Sequence, residues 1–105
     1  MSEIQTDIDR NRRHRGSILR VVRRYGTQGI SWPGLERIFR SAGLLGAVEM
    51  LEENVQYLAD KAYLKKARLR DEIAGVERWM LYIAPSGIDL IEGTIDPDPG
   101  VNLIV

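Results

Sequence analysis

Residues 44–83 read LLGAVEMLEENVQYLADKAYLKKARLRDEIAGVERWMLYI, and a change of period inside this stretch decides the fold. Leu44, Val48, Leu51, Val55, Leu58 and Ala62 step by four, three, four, three and four residues, the spacing of one helical face. Glu49, Glu52, Glu53, Gln56 and Asp60 fall mostly off that stripe, so the spacing predicts a helix over about 45–62. From Tyr63 the pattern shifts. Residues 64–70 alternate in the manner of a strand with one polar face, 71–75 read as a turn, and 76–83 are rich in aromatic and aliphatic side chains. Two strands joined by a polar turn predict a β-hairpin.

Working toward the N-terminus, Ile30-Ser31-Trp32-Pro33-Gly34-Leu35 carries a helix start. Ser31 suits the N-cap, Pro33 is tolerated in the first turn, and Ile30 with Leu35 is placed as a hydrophobic staple. Leu35, Ile38, Phe39 and Ala42 form its apolar stripe and Gly43 its stop, which gives a short helix over about 32–42. A tight link through Gly43 and Leu44 then joins two helices in the helix-turn-helix plan. A first helix is expected over about 6–25. Asp7 and Asp9 suit its start, Ile18, Val22 and Tyr25 share a face beside Leu19 and Val21, and Gly26 and Gly29 end it. Beyond the hairpin, Pro85 and Gly93 bracket a last short helix. Asp96-Pro97-Asp98-Pro99-Gly100 excludes regular structure, and the tail Val101-Asn102-Leu103-Ile104-Val105 is apolar.

The 105 residues suit one domain, with 44% hydrophobic residues to build a core. Fifteen basic residues balance fifteen acidic ones, yet the charges are segregated. Residues 1–9 sum to −3, residues 10–24 to +7 without an acid, 49–60 to −4, 61–72 to +3, and 85–105 to −4. A basic block is the footprint of phosphate binding or a solvated face whose arginines pair with nearby acids. The chain has no cysteine, which removes disulfides, zinc fingers and thiol catalysis, and its single histidine, His14, cannot build a metal cluster. No apolar run reaches the ~18 residues of a membrane span. The N-terminus starts acidic and lacks the apolar core of a secretory signal, so a cytoplasmic protein is expected.

The order helix, helix, helix, hairpin, helix resembles the winged-helix family. The run VEMLEENVQYLADKAYLKKARL looks like the end of its third helix entering the first wing strand through a Tyr-Leu pair. The run RWMLYIAPSGIDLIEG looks like the far side of the wing leading into a closing helix that ends Glu92-Gly93. The resemblance covers roughly residues 15–93. It implies an α+β fold with a three-helix core, a two-stranded wing and a short C-terminal helix, preceded by an arm or helix extension over 1–14 and followed by a tail over 94–105. More loosely, the size and the C-terminal GIDLIEGTIDPDPGV look similar to small proteins of Mu-like bacteriophages and prophages.

In DNA-binding members of the family the third helix enters the major groove and the wing touches backbone or minor groove. The resemblance, with the two basic blocks, points to double-stranded DNA as partner and to Arg10, Arg12, Arg13, Arg15, Lys65, Lys66, Arg68 and Arg70 as its contacts. Alternation puts Lys66, Arg68 and Arg70 on one strand face. The same cations also suit an exposed hairpin edge that must not pair with other chains. The third helix departs from the pattern, because it offers Glu49, Glu52, Glu53, Asn54 and Gln56 where a reading helix offers cations and amides. Carboxylates facing a phosphate-lined groove are repelled by ~1 kcal/mol or more each. The alternative is therefore a winged helix used for protein assembly.

The +7 block complements the −4 helix and the apolar tail needs cover, which points to a homodimer, the alternative being an intrachain arrangement with the tail packed on its own domain. Trp32 and Trp79 read as packing residues, the second with the option of stacking on a base. His14, set among Arg12, Arg13 and Arg15, reads as a surface or phosphate-adjacent group. Gly26, Gly29, Gly43 and Gly46 are too loosely spaced for a nucleotide cradle. With no activated nucleophile, metal set or paired base, the expectation is no catalysis, no cofactor and no small-molecule substrate.

Overall fold

An arginine-rich N-terminal segment with one apolar face forms the helix on which everything else is assembled. The computed structural model of the chain describes residues 3–43 and 49–103. Helix α1 (Glu3–Tyr25) runs unbroken through the expected arm. It buries Ile18, Leu19 and Val22, whereas Tyr25, expected on that stripe, is exposed. Gly26, at a left-handed φ of 55°, turns the chain into one 3-10 turn (Gly26–Gln28). A two-residue strand β1 (Ile30–Ser31) leads directly into α2 (Trp32–Ser41). There the Ser31 hydroxyl accepts a hydrogen bond from the Gly34 amide at 3.1 Å, as an N-cap does. Leu35 and Phe39 are buried, Ala42 lies exposed beyond the last turn, and Gly43 follows at φ 76°.

The expected inter-helix link and the expected start of the third helix at 45–48 fall outside the described residues. Within them, α3 (Leu51–Asp60) buries Leu51, Val55 and Leu58, three members of the quoted stripe. The helix ends two residues earlier than its spacing suggested. Ala62 is exposed at φ 64° because it sits past the cap, where the chain reverses toward the sheet. The Tyr63 amide donates to the Leu58 carbonyl and the Ala62 amide to the Ala59 carbonyl, both at 2.9 Å. This is the two-bond closure that glycine usually completes, and alanine there carries a left-handed cost of about 1–2 kcal/mol.

Strands β2 (Leu64–Asp71) and β3 (Val76–Ile83) form the expected hairpin, in register from Leu64↔Ile83 to Asp71↔Val76. The sheet has three strands rather than two, because β1 pairs with β3 through Ile30↔Leu81 and Ser31↔Met80, giving the antiparallel order β1-β3-β2. That pairing needs Gly29. It holds φ 73°, and a Cβ there would lie 2.5 Å from the Tyr82 ring and 2.9 Å from the Leu81 carbonyl. Leu64, Leu81 and Ile30 close the inner sheet face over Leu35, Phe39, Leu51, Val55 and Leu58. Helix α4 (Pro85–Glu92), ended by Gly93 at φ 78°, adds Leu90 to the same core. No helix of the described residues is long and apolar enough to cross a membrane.

The tail then turns back along α1. The Asn102 amide donates to the Arg12 carbonyl at 2.9 Å, Arg20 donates to the Leu103 carbonyl at 2.5 Å, and Val101 is buried. The cover expected from a second copy is thus supplied to Val101 and, in part, Leu103 by the chain's own first helix. Gly16 permits the approach, since a Cβ on it would come within 1.9 Å of the Asn102 carbonyl oxygen.

Asp98 pins the start of this return. Its carboxylate accepts from the Tyr63 hydroxyl and the Gly100 amide, both at 2.7 Å, and lies 3.7 Å from the Lys61 ammonium. Burial pushes the carboxyl up, but these hydrogen bonds and Lys61 together outweigh it and hold Asp98 below the usual carboxylate value. Burial, then the bond to Asp98, pushes Tyr63 up to about 12. The carboxylate's contribution to stability is therefore complete above its unfolded value of 3.8 and disappears as pH falls through the lower folded value. The tyrosine's contribution is complete below 10.0 and disappears as pH rises toward about 12. Asp98→Asn is expected to cost about 1–3 kcal/mol near neutral pH. In urea unfolding, its difference from the parent protein should shrink as the solution is made strongly acidic.

Candidate nucleic-acid interface

The hairpin alternates, so each strand divides its side chains between two faces. Leu64 and Leu81 fix the inner face at the stem. Continuing outward on that face come Lys66, Arg68 and Arg70 from β2, opposite Leu81, Trp79 and Glu77 from β3. Lys65 belongs to the other face, opposite Tyr82, one rung from the stem. The structure therefore brings Lys66, Arg68 and Arg70 into one row and sets Lys65 behind them.

Trp79 organises this row. The Lys66 ammonium lies 5.1 Å and the Arg68 guanidinium 4.6 Å from its ring centroid, both within cation–π range. Lys66 also donates to the Gln56 side chain on α3 at 2.8 Å, which ties the hairpin to the helix. Arg68 pairs with Glu77 at 3.5 Å, but both side chains are more than half exposed, so the pair holds little and opens readily. Among the described residues, Lys65 and Arg70 make no ion pair.

Trp79, Trp32 at the start of α2, Glu52 in the first turn of α3 and Lys66 together line a groove of about 210 Å³. A second depression, on the side of Pro33, Arg37, Val76 and Arg78, is bounded by the same two indoles. Trp32 packs partly on the core, as expected. Trp79 lies on the hairpin with 40% of its surface exposed. Arg37 and Arg78 were not among the expected contacts. The register of a symmetric hairpin about 72–75 would have placed Arg68 against Trp79, which is the signal that sequence reading left unused.

The N-terminal cations are arranged differently. Arg10 is exposed and Arg12 half-buried, and they lie 3.8 and 3.7 Å from Asp7 and Asp9, one helical turn back. Arg12 and Arg13 line a depression with Asp98, Pro99, Val101 and Asn102, which shares no residue with the hairpin groove. Arg15 points inward. Its Nε donates to the Asn54 side-chain Oδ1 at 2.9 Å, its Nη1 to the Gly100 backbone carbonyl at 3.1 Å, and its guanidinium lies 3.7 Å over the Tyr57 ring. The reason is tertiary: the tail and α3 close over that face of α1, and the cation bridges them.

Asn54 and His14, read as groove-facing and surface groups, are interior. Asn54 is fully buried, and its side-chain Nδ2 donates to His14 Nδ1 at 2.7 Å and to the Asn11 side-chain Oδ1 at 3.1 Å. His14 packs edge-on against Phe39. The exposed face of α3 carries Glu52, Glu53, Gln56 and Asp60, so the acidic surface read from the sequence is real. No group of three metal-ligating side chains occurs among the described residues. No known protein family, curated protein or solved structure matches this chain.

Proposed function

We propose that the chain is a winged-helix nucleic-acid-binding module, of the small regulatory or accessory type resembling bacteriophage proteins, that holds duplex DNA by its wing rather than by its third helix. The observation that carries this reading is the row of Lys66, Arg68 and Arg70 on one ribbon face, beside a helix whose exposed face is acidic. Phosphates are attracted to the ribbon and repelled from α3, so binding is dominated by backbone contact and carries little base selectivity. The order of three helices, hairpin and closing helix supports the fold reading. Arg10, Arg12 and Arg13 supply at most a secondary contact from the separate depression on α1, and Arg15 is committed to the interior.

The test is binding to mixed-sequence duplex at low and moderate salt. Affinity is expected to be measurable at low salt and steeply salt-dependent. Lys66→Ala, Arg68→Ala and Arg70→Ala combined should weaken it by roughly tenfold or more and flatten the log–log salt slope by about 3. Arg10→Ala, Arg12→Ala and Arg13→Ala combined should have the smaller effect. If no duplex binds even at low salt, the acidic face of α3 favours the second reading, an assembly module for a basic protein partner that includes a second copy of this chain.

A further inference from the structure

The chain has two tryptophans, on different elements, and both line the same groove. In double-stranded nucleic acid the base faces are stacked on one another and only edges are offered to a protein. An exposed indole ringed by cations has little to gain from such a surface beyond the phosphates. An unpaired base offers its flat face, and single-strand binders pair a cationic track with aromatic side chains on which bases stack. The wing groove has that composition. Trp79 is 40% exposed, with Lys66 and Arg68 held at its ring by cation–π attraction and thus kept where a strand's phosphates would pass.

We propose that this groove seats an unpaired nucleobase, stacked on Trp79 against the wall formed by Trp32, with the flanking phosphates on Lys66 and Arg68. The inference rests on the nucleic-acid reading above and extends it to a second kind of strand. At about 210 Å³ the groove is smaller than the ~300–1,000 Å³ typical of pockets for larger ligands. It suits one flat ring rather than a buried cofactor. The Glu52 carboxylate lines the same groove. It repels phosphate and accepts from an exocyclic amino group, which orients the base edge toward α3 and the backbone toward β2 and favours cytosine over thymine.

The experiment uses the full chain and a short oligodeoxycytidine at neutral pH. Because Trp32 and Trp79 are the whole tryptophan content, tryptophan-selective emission reports the two adjoining depressions that these indoles bound, and the Trp79 variants below assign the signal within them. Saturable quenching that weakens with salt is expected. By anisotropy of a labelled oligonucleotide, Trp79→Leu should lose about tenfold in affinity, the effect of one stacked base, and Trp79→Phe should recover most of it. Circular dichroism and the unfolding midpoint of both variants separate lost stacking from lost folding. Binding unchanged in a folded Trp79→Leu overturns the proposal. So does quenching by a neutral proline-rich peptide and not by the oligonucleotide, which would make this a peptide groove. Duplex binding without oligodeoxycytidine quenching overturns this inference and leaves the duplex reading intact, whereas failure of both ligands removes both.

Discussion

Asn54→Ala is expected to destabilise the protein by about 2–4 kcal/mol, since each buried polar group deprived of its partner costs about 1–3 kcal/mol. The Asn54 amide is fully buried and serves three partners from α1. It takes a hydrogen bond from Arg15 and gives two, to His14 and Asn11. Truncation removes the acceptor of a half-buried guanidinium and the donor to a buried imidazole in one step. The bonds couple through a shared amide in a low-dielectric site, so the loss exceeds that of an isolated surface bond. Urea unfolding of Asn54→Ala and of Asn54→Leu, which nearly restores the volume, separates lost hydrogen bonds from a cavity. A loss below about 1 kcal/mol in both would show that the network does not hold α3 to α1.

Gly16→Ala is expected to act in the opposite sense from the same substitution in an open helix. Alanine is the better helix former by about 1 kcal/mol. Here its methyl group would lie 1.9 Å from the Asn102 carbonyl oxygen and 2.8 Å from the carbonyl carbon, both backbone atoms that no rotamer can move aside. The tail must lift, which loosens the Asn102–Arg12 bond, the Arg15–Gly100 bond and the cover over Val101. The net change is expected to be a loss of about 1–3 kcal/mol. In a chain shortened before Gly100 the clash is gone, and the substitution should then stabilise. A gain in the full chain, or no reversal in the shortened one, would contradict the packing of the tail on α1.

Most elements were legible because their signals are local. Ser31 and Pro33 open α2, Pro85 and Gly93 bracket α4, and the shift of period after Ala62 announces the hairpin. Strand β1 was not legible, since two residues carry no periodicity and owe their conformation to Leu81 and Met80 far along the chain. The interior roles of His14, Arg15 and Asn54 were missed for another reason: polar residues were assigned to the surface by type. Their spacing pointed the other way. Asn54 falls between Leu51 and Val55 on the buried stripe of α3, and His14 and Arg15 stand one turn before Ile18 and Leu19. Of the candidate site, the alternation of Lys66, Arg68 and Arg70 was readable. The clustering around Trp79 needed the cross-strand register, and the separation of the α1 arginines from the hairpin needed the path of the tail.

Strand β1 reaches only two rungs of the sheet, at Leu81 and Met80. Beyond them β2 and β3 continue alone, from Arg68↔Trp79 to Asp71↔Val76. A lone pair of strands is marginally stable and twists more freely than a sheet. The hairpin is thus a blade clamped at its root and springy toward its tip, with Lys66 on a clamped rung and Arg68 and Arg70 beyond the clamp. A load at the tip would bend the blade, and the bending would stop at the clamp before it reached the helices.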